Sequence, residues 1–210
     1  MKKLNSQTKD ILLLVAYAFI FLLPVTLNHY ILDYTFNFAL AQLTLSLFLL
    51  MYDFDTFAYQ VYLLKTSLQK QFILFLVCTA VFASLYVLHF TGIMLFSTLF
   101  ANTTHVGLLL MIMEGFSIYF CLHLNEAYLF EKIRMMLPSW DRLPSVTVTA
   151  VLFVVFHIAL VLPTELARIS AHVVYYVAIG GALSILSYFN ASFLIYVVSG
   201  FLLTMILVLL

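Results

Sequence analysis

Long runs of hydrophobic residues alternate with short polar clusters along the chain. A helix needs about 20 consecutive apolar residues to cross the hydrocarbon core of a bilayer, and several runs reach that length. The pattern predicts an all-α fold: a polytopic membrane helical bundle of about seven transmembrane helices, forming a single membrane domain over residues 1–210. The predicted spans lie near residues 11–32, 36–52, 71–98, 104–130, 144–163, 170–188 and 191–210.

Composition indicates the same class of protein. Of the 210 residues, 65% are hydrophobic and only 9% are charged, whereas a soluble domain needs a charged surface. The net charge of zero says nothing about nucleic acid, but no basic patch with interleaved aromatic residues occurs, so we expect no nucleic-acid partner. We expect no cofactor. Cys78 and Cys121 fall inside apolar runs without a disulfide or zinc spacing, so we expect small core residues there.

The basic residues predict how the helices are oriented. Eight of the nine lysines and arginines fall on one side of the predicted spans, and only Arg168 falls on the other. Cytoplasmic loops of membrane proteins carry such an excess of positive charge. We therefore expect the N-terminus and the 131–143 loop to be cytoplasmic, and the C-terminus to lie outside. No small-residue cleavage site follows the first run, so we expect it to be retained as a span.

Two segments at the expected cytoplasmic side mix aromatic and charged residues. Residues 53–70, DFDTFAYQVYLLKTSLQK, fit either an amphipathic helix along the membrane interface or an ordinary loop. Glu131, Lys132 and Arg134 are expected in the headgroup zone, where charges cost little. Glu131 and Arg134 are three residues apart and could form an ion pair, and Trp140 fits an interfacial anchor.

Ionisable groups inside apolar spans are costly to bury and therefore indicate candidate functional sites. Glu114 lies near the middle of the fourth span, and His157 lies within the fifth. Each also fits a group that simply hydrogen bonds to a neighbouring helix. His123 precedes Glu126 by three residues, so the two share a helix face. That pair fits a hydrogen bond, a metal site or a proton relay, and metal binding stays open.

Several features of the second half of the chain occur in a particular order. A Glu-x-x-x-Phe sequence begins at Glu126, and a Phe-x-x-x-His sequence ends at His157. The stretch Gly-Gly-Ala at 180–182 and a short hairpin, SYFNASF, then precede the last span. Over residues 104–210 this order resembles the CPBP family, the CAAX proteases and bacteriocin-processing enzymes, also called the Abi family.

The resemblance implies an intramembrane glutamate protease of a bacterial plasma membrane. The family signature is Glu-Glu-x-x-x-Arg at the cytoplasmic end of a long span, Phe-x-x-x-His on the next, and His-x-x-x-Asn on the last. Glu126 matches the first glutamate, which in the family activates a water as general base. His157 matches the motif histidine, which helps to hold the water or to polarise the substrate carbonyl. Peptide hydrolysis needs a base and an oxyanion donor of this kind.

The other signature positions differ from the family pattern. The second glutamate is Ala127 here, and the arginine position holds Glu131, a reversal of charge. The last span contains no histidine, asparagine or charged residue, and His172 lies at the start of the sixth span, where we expect the outer face. The His and Asn positions of the last span fall near Ser199 or Gly200 and near Leu203 or Thr204.

Three functions therefore remain open. The favoured hypothesis is a non-catalytic family member: a helical scaffold, or pseudoprotease, that regulates another integral membrane or cell-envelope protein and is surrounded by membrane lipid. The second is an active protease that uses Glu126 and His157 in a rearranged site. The third is a small transporter or channel with Glu114 and His123 on its pathway. The sequence shows none of the inverted repeats that are typical of transporters.

The last span carries small residues that could serve a scaffold. Ser192 and Ser199 are seven residues apart and share a face with the neighbouring Gly200. Small residues let helices approach closely in lipid, where packing drives their association. This face could bind a partner protein, or it could pack against the other helices of the same chain.

Overall fold

The part of the chain that the computed structural model describes is helical almost throughout. It comprises residues 6–27, 34–66, 68–90, 116–137, 141–161 and 169–209. Eight α-helices and a π-helical turn, Phe116–Phe120, make up this part, and it contains no strand. The α-helices are α1 Ser6–Leu27, α2 Tyr34–Tyr52, α3 Phe54–Lys65, α4 Leu68–Phe90, α5 Cys121–Met136, α6 Arg142–Val161, α7 Ile169–Tyr188 and α8 Leu194–Leu209. The predicted all-α class is confirmed for these residues.

Three of these helices are long and apolar enough to cross a membrane. They are Leu68–Leu88 within α4, the whole of α6 and the whole of α7. Two further apolar stretches among the described residues, Ala39–Tyr52 and Leu194–Leu203, are shorter. The length and composition of the three long helices indicate a membrane protein. The count of seven spans stays a prediction, since part of the fourth predicted span, Glu114 included, lies outside the described residues.

Helix α5 lies at the centre of the bundle. The π-helical turn leads directly into it, and α1, α2, α6, α7 and α8 all contact it. Every residue from Cys121 to Ile133 is buried, so all faces of the helix are covered by protein. Outside α5, α1 packs on α2, α6 packs on α7, and α4 packs on both α7 and α8. The polar side chains of α5 must therefore find their partners inside the protein.

The segment after α2 forms the short helix α3, so the helical alternative for residues 53–70 is confirmed over Phe54–Lys65. One face of α3 is buried, and it includes Phe57 and Gln60. The amide oxygen Oε1 of Gln60 accepts a hydrogen bond of 2.9 Å from the backbone N–H of Phe193 at the start of α8. The opposite face exposes apolar and aromatic side chains to the surroundings of the protein, namely Phe54, Tyr59, Val61 and Tyr62.

The hairpin between α7 and α8 is fixed by its backbone geometry. Asn190 adopts a left-handed conformation with φ of 51°, which asparagine tolerates better than most residues. The N–H of Ala191 bonds the carbonyl of Leu186 at 2.9 Å, and the N–H of Asn190 bonds that of Ser187 at 3.1 Å. This pair of bonds is the Schellman arrangement that ends many helices. The predicted hairpin in SYFNASF is present.

Two basic side chains from other helices complete the end of α7. Lys70 of α4 donates to the carbonyl of Phe189 at 3.0 Å, and Arg142 of α6 donates to the carbonyl of Tyr188 at 3.0 Å. Positive charge is favourable at a helix C-terminus, where unsatisfied carbonyls carry partial negative charge. These contacts place the first turns of α4 and α6 beside the last turn of α7.

Helix α8 approaches α4 and α5 very closely at Gly200. A Cβ atom at this position would lie 2.6 Å from both His123 Cδ2 and Phe82 Cζ, closer than atoms can approach without a shift. Ser199 is buried as well, and its hydroxyl donates to the carbonyl of Ile195 at 2.7 Å. The small-residue face of the last span therefore packs against the protein's own helices, the second of the two alternatives.

Candidate functional site

The candidate base Glu126 is fully buried between three helices. The hydroxyl of Tyr196 on α8 donates to its Oε2 at 2.6 Å, and the hydroxyl of Tyr175 on α7 donates to its Oε1 at 3.5 Å. His123 Nδ1, one turn earlier on α5, lies 3.1 Å from Oε2. Hydrogen bonding between His123 and Glu126, one of the alternatives for this pair, is thus observed. The carboxylate joins α5, α7 and α8.

Aromatic side chains pack around the polar contacts of Glu126. Tyr196 OH also lies 3.2 Å from His123 Nδ1, so Tyr196, His123 and Glu126 form a closed triangle of polar contacts. Phe82 of α4 packs on this triangle, with ring centroids 4.8 Å from His123 and 5.1 Å from Tyr196. The close approach at Gly200 is what allows His123 and Phe82 to occupy this space. Four helices therefore contribute to the geometry around Glu126.

His157 is fully buried on α6, and its ring nitrogens have partners in the protein. Nδ1 lies 3.0 Å from the carbonyl oxygen of Phe153, which can only accept, so Nδ1 carries a proton. Nε2 lies 3.1 Å from the hydroxyl of Tyr17 on α1, and in the neutral ring Nε2 accepts a hydrogen bond from that hydroxyl. The ring also stacks on Tyr176 at a centroid distance of 4.3 Å.

Two adjacent tyrosines of α7 lie between the two signature residues. Tyr175 contacts Glu126, while Tyr176 stacks on His157, and their rings meet edge to face at 5.1 Å. The structure therefore brings both residues into one buried polar region. From the resemblance we also expect Glu126 and His157 to lie within a hydrogen bond or one bridging water of each other, and this stays a prediction.

A second polar network lies between α5 and α2. The side-chain amide of Asn125 donates to the carbonyl of Gln42 at 3.1 Å and to its Oε1 at 2.9 Å. Ser46 in turn donates to Asn125 Oδ1 at 2.8 Å. All three residues are buried, and within the described part of the chain the nitrogen Nε2 of Gln42 has no hydrogen-bond partner. Hydrogen bonds between membrane helices contribute to their association, so this network ties α2 to α5.

The charged residues after Glu126 form ion pairs against the protein. Arg134 bonds Glu131 through Nε at 2.9 Å and Nη2 at 2.5 Å, which confirms the predicted pair. The hydrogen bonds that Arg134 donates to Glu131 raise the pKa of the Arg134 guanidinium. Glu131 is only 7% exposed and Lys132 only 8%, so both are less exposed than expected of headgroup-zone residues. The reason is that Glu131 is paired with Arg134, and Lys132 has carboxylate partners in other parts of the chain.

Lys132 reaches two aspartates from different parts of the chain. Its ammonium contacts Asp53, between α2 and α3, and lies 3.6 Å from Asp10 on α1. Asp53 also accepts hydrogen bonds of 2.8 Å from Thr56 and from Tyr128. Burial alone would raise the pKa of Asp53, but the bonds from Lys132, Thr56 and Tyr128 outweigh it and lower that pKa. This ion-pair cluster joins α1, the α2–α3 junction and α5.

Two positions that differ from the family signature lie beside a small cavity. Ala127 and Glu131 line a space of about 20 Å³, together with Gln60 and Ser187. The buried hydroxyl of Ser187 has no hydrogen-bond partner among the described residues, and the space is large enough for one water molecule. Glu126 and His157 line other parts of the interior. Glu131, the position of reversed charge, forms its ion pair with Arg134, one helical turn further along α5.

Metal binding finds no support among the described side chains. They contain no group of three or more histidine, cysteine or carboxylate residues close enough to hold an ion. His172 lies in the first turn of α7, buried and stacked on Tyr176, and is not a member of the site around Glu126. Cys78 and Cys121 are buried free thiols, as expected of small core residues. The candidate Glu114 lies outside the described residues.

The tyrosines that contact Glu126 and His157 were not among the residues predicted from the sequence. Tyr17, Tyr175 and Tyr196 each donate or share a hydrogen bond with a signature residue or its neighbour. Tyrosine in membrane proteins is typical of the interface, where its hydroxyl is hydrated. A tyrosine in the middle of an apolar span needs a partner inside the protein, and that signal could have identified them.

Comparison of this chain with protein-family models, with characterised proteins and with solved structures gave no match.

Proposed function

We propose that this protein is a non-catalytic, multi-pass scaffold of the bacterial plasma membrane that binds and regulates another integral membrane or cell-envelope protein. The observation that carries this proposal is the state of Glu126. A general base must reach a water molecule and a substrate. Glu126 is instead 0% exposed, and its two carboxylate oxygens accept hydrogen bonds from Tyr175 and Tyr196 of the same chain.

The environment of His157 supports the same proposal. A catalytic histidine of this kind would use a ring nitrogen to hold the water or to stabilise an oxyanion. Here one ring nitrogen contacts Tyr17 and the other contacts the Phe153 carbonyl. The loss of one oxyanion donor lowers rates by about 10²–10³, and the histidine position of the last span offers only the small, buried residues Ser199 and Gly200.

Under this proposal the polar groups have a structural role. Glu126 joins α5, α7 and α8, while Asn125 joins α5 to α2 and Lys132 joins α5 to α1 and the α2–α3 junction. A scaffold needs a bundle of defined shape, and buried polar contacts of this kind can specify how helices pair. We further propose seven spans, an N-terminus in the cytoplasm, and membership of the CPBP family as a degenerate homologue.

The substitution Glu126→Gln separates scaffold from protease. Glutamine keeps the shape and can accept hydrogen bonds, but it cannot act as a general base. In cells that lack the native gene, we expect the variant to reach normal levels and to restore the wild-type phenotype. His157→Gln serves as the companion variant, and Tyr62→Phe, on the exposed face of α3, serves as the control.

Either outcome is informative. If Glu126→Gln accumulates normally but reproduces the deletion phenotype, and a membrane protein then accumulates uncleaved, the protein is an active protease. That second function is favoured by one observation: the adjacent rings of Tyr175 and Tyr176 link the two buried signature residues Glu126 and His157. If the variant restores function, photo-crosslinkers at exposed positions such as Tyr62 or Val155 should give a discrete product with the partner. A crosslinked product that forms with the wild-type protein but is lost in Glu126→Gln would count against the scaffold.

A further inference from the structure

An apolar groove lies between α4 and α7, the two helices that Lys70 connects. It is lined by Lys70, Ile73, Leu74, Val77, Ile185 and Phe189, and its volume is about 570 Å³. Sites for small ligands have volumes of about 300–1,000 Å³. Both helices are long and apolar enough to cross a membrane, so the groove opens toward the hydrocarbon of the bilayer.

The groove has a polar end and an apolar end. Lys70 lies in the first turn of α4 and contacts the carbonyl of Phe189, just beyond the last turn of α7. From there the lining extends about 10 Å along α4 to Val77, with Ile185 opposite. Ile73 is 53% exposed and Phe189 is 50% exposed, so a chain-like molecule can lie against them from the lipid side.

The charge at the polar end is not neutralised within the described part of the protein. Lys132 and Arg134 have carboxylate partners, whereas Lys70 has none within ion-pair distance among the described residues. The ammonium group has three N–H donors, and one of them bonds the Phe189 carbonyl. Two donors and a full positive charge therefore remain for a ligand.

We propose that the groove binds one anionic phospholipid from the leaflet at that end of the bundle. Its phosphate group would lie beside Lys70, and one acyl chain would lie along Ile73, Val77 and Ile185. Basic pockets between membrane helices bind anionic lipid headgroups by the same combination of charge and depth. This inference is independent of the proposed scaffold function, because none of these residues belongs to the site around Glu126.

The charge requirement can be tested with lipid nanodiscs. The full chain is reconstituted with equal amounts of phosphatidylglycerol and phosphatidylcholine, transferred to detergent, and the retained lipids are counted by native mass spectrometry. We expect the wild-type protein to retain phosphatidylglycerol preferentially, and Lys70→Gln to lower that preference about fivefold. Lys65→Gln removes the same charge from the exposed end of α3 and should leave the preference unchanged.

The shape requirement has its own matched pair of variants. Val77→Trp fills the groove and should abolish retention of a phosphatidylglycerol molecule, whereas Leu76→Trp, on the exposed surface of α4 beside it, should not. Lys70→Gln alters only a partly exposed side chain and keeps the test valid if the tryptophan variant misfolds. Retention of both lipids at their bulk ratio by the wild-type protein, or the same preference in Lys70→Gln, would overturn the proposal.

Discussion

The carboxylate of Glu126 on α5 is hydrogen-bonded to tyrosines of α7 and α8. Glu126 contacts His123, Tyr175 and Tyr196, so each of the three helices around it would lose a polar contact if the carboxylate were removed. An unpaired polar group is expensive to bury in a membrane protein. Glu126 and its tyrosines are therefore best understood as one unit, in which each member satisfies the others.

At the residue scale we predict that Tyr196→Phe destabilises the protein by about 0.6–2 kcal/mol. The variant keeps the ring and its packing on Phe82 but removes the hydroxyl that bonds Glu126 at 2.6 Å. The range is that of measured side-chain hydrogen bonds between membrane helices. Unfolding in mixed micelles measures the change. Tyr62→Phe, on an exposed tyrosine, is the control, and equal stabilities of the two variants would contradict the prediction.

At the scale of elements, the position of α8 depends on one glycine. Gly200 lets α8 approach His123 and Phe82, and an added Cβ would overlap both side chains. This contact is tight enough that α4, α5 and α8 form one packed unit. Gly181 on α7 offers a comparison within the same fold, because a Cβ there meets nothing within 4 Å.

We predict opposite results for alanine at these two glycines. Gly200→Ala should destabilise the protein by about 1–3 kcal/mol, since overpacking forces neighbouring side chains or helices to shift. Gly181→Ala should be neutral or should stabilise the protein by up to about 1 kcal/mol, because alanine is the better helix former. Unfolding midpoints in detergent measure both. A Gly200→Ala variant as stable as Gly181→Ala would show that α8 does not pack as described.

The ion-pair cluster around Lys132 gives a pH dependence to three elements at once. The pKa of Asp53 is lowered in the folded protein, so its contribution to stability is present above the unfolded pKa of about 3.8 and is lost as the pH falls through the lower, folded value. We expect the wild-type protein to lose stability below that pH, and Asp53→Asn to lose less over the same interval. Unfolding curves between neutral and acidic pH measure the difference, and parallel curves would refute this assignment.

The whole molecule has one end where the charged contacts gather. These contacts occur at the starts of α1, α4 and α6 or at the ends of α2, α5 and α7. They are the contacts of Lys132 with Asp10 and Asp53, of Lys70 with Phe189, and of Arg142 with Tyr188. This grouping agrees with the one-sided distribution of lysine and arginine in the sequence. A cytoplasmic location for that end stays a prediction from the excess of positive charge there.

We predict that a cysteine placed at Ser139 is protected from a membrane-impermeant maleimide applied to intact cells. A cysteine at Thr164, in the connection between α6 and α7, should react readily. The native Cys78 and Cys121 are 1% and 2% exposed, so they should add little background. Permeabilised cells provide the control for reactivity at Ser139. Strong labelling of the cysteine at position 139 in intact cells would show that the orientation is the opposite of the predicted one.

The sequence predicted the helices better than the contacts between them. Predicted spans 144–163 and 170–188 agree with α6 and α7 within a few residues, because the length of an apolar run directly reflects membrane thickness. The contacts of Tyr17 and Tyr196 were missed. A helix that is apolar on every side has no amphipathic face, so its sequence does not indicate which side faces protein and which faces lipid. The rotation of each helix is decided by its neighbours.

The enclosure of α5 also has a consequence for how the protein is made. This helix carries His123, Asn125 and Glu126 on surfaces that are covered by other helices, and Tyr196 is 70 residues further along the chain. At about 5–20 residues per second, the ribosome adds that stretch in about 4–14 s. During that interval the nascent helix holds a carboxyl group without its closest hydrogen-bond donor. A membrane insertase or chaperone that shields α5 from lipid until α8 emerges would meet a need built into the order of the chain.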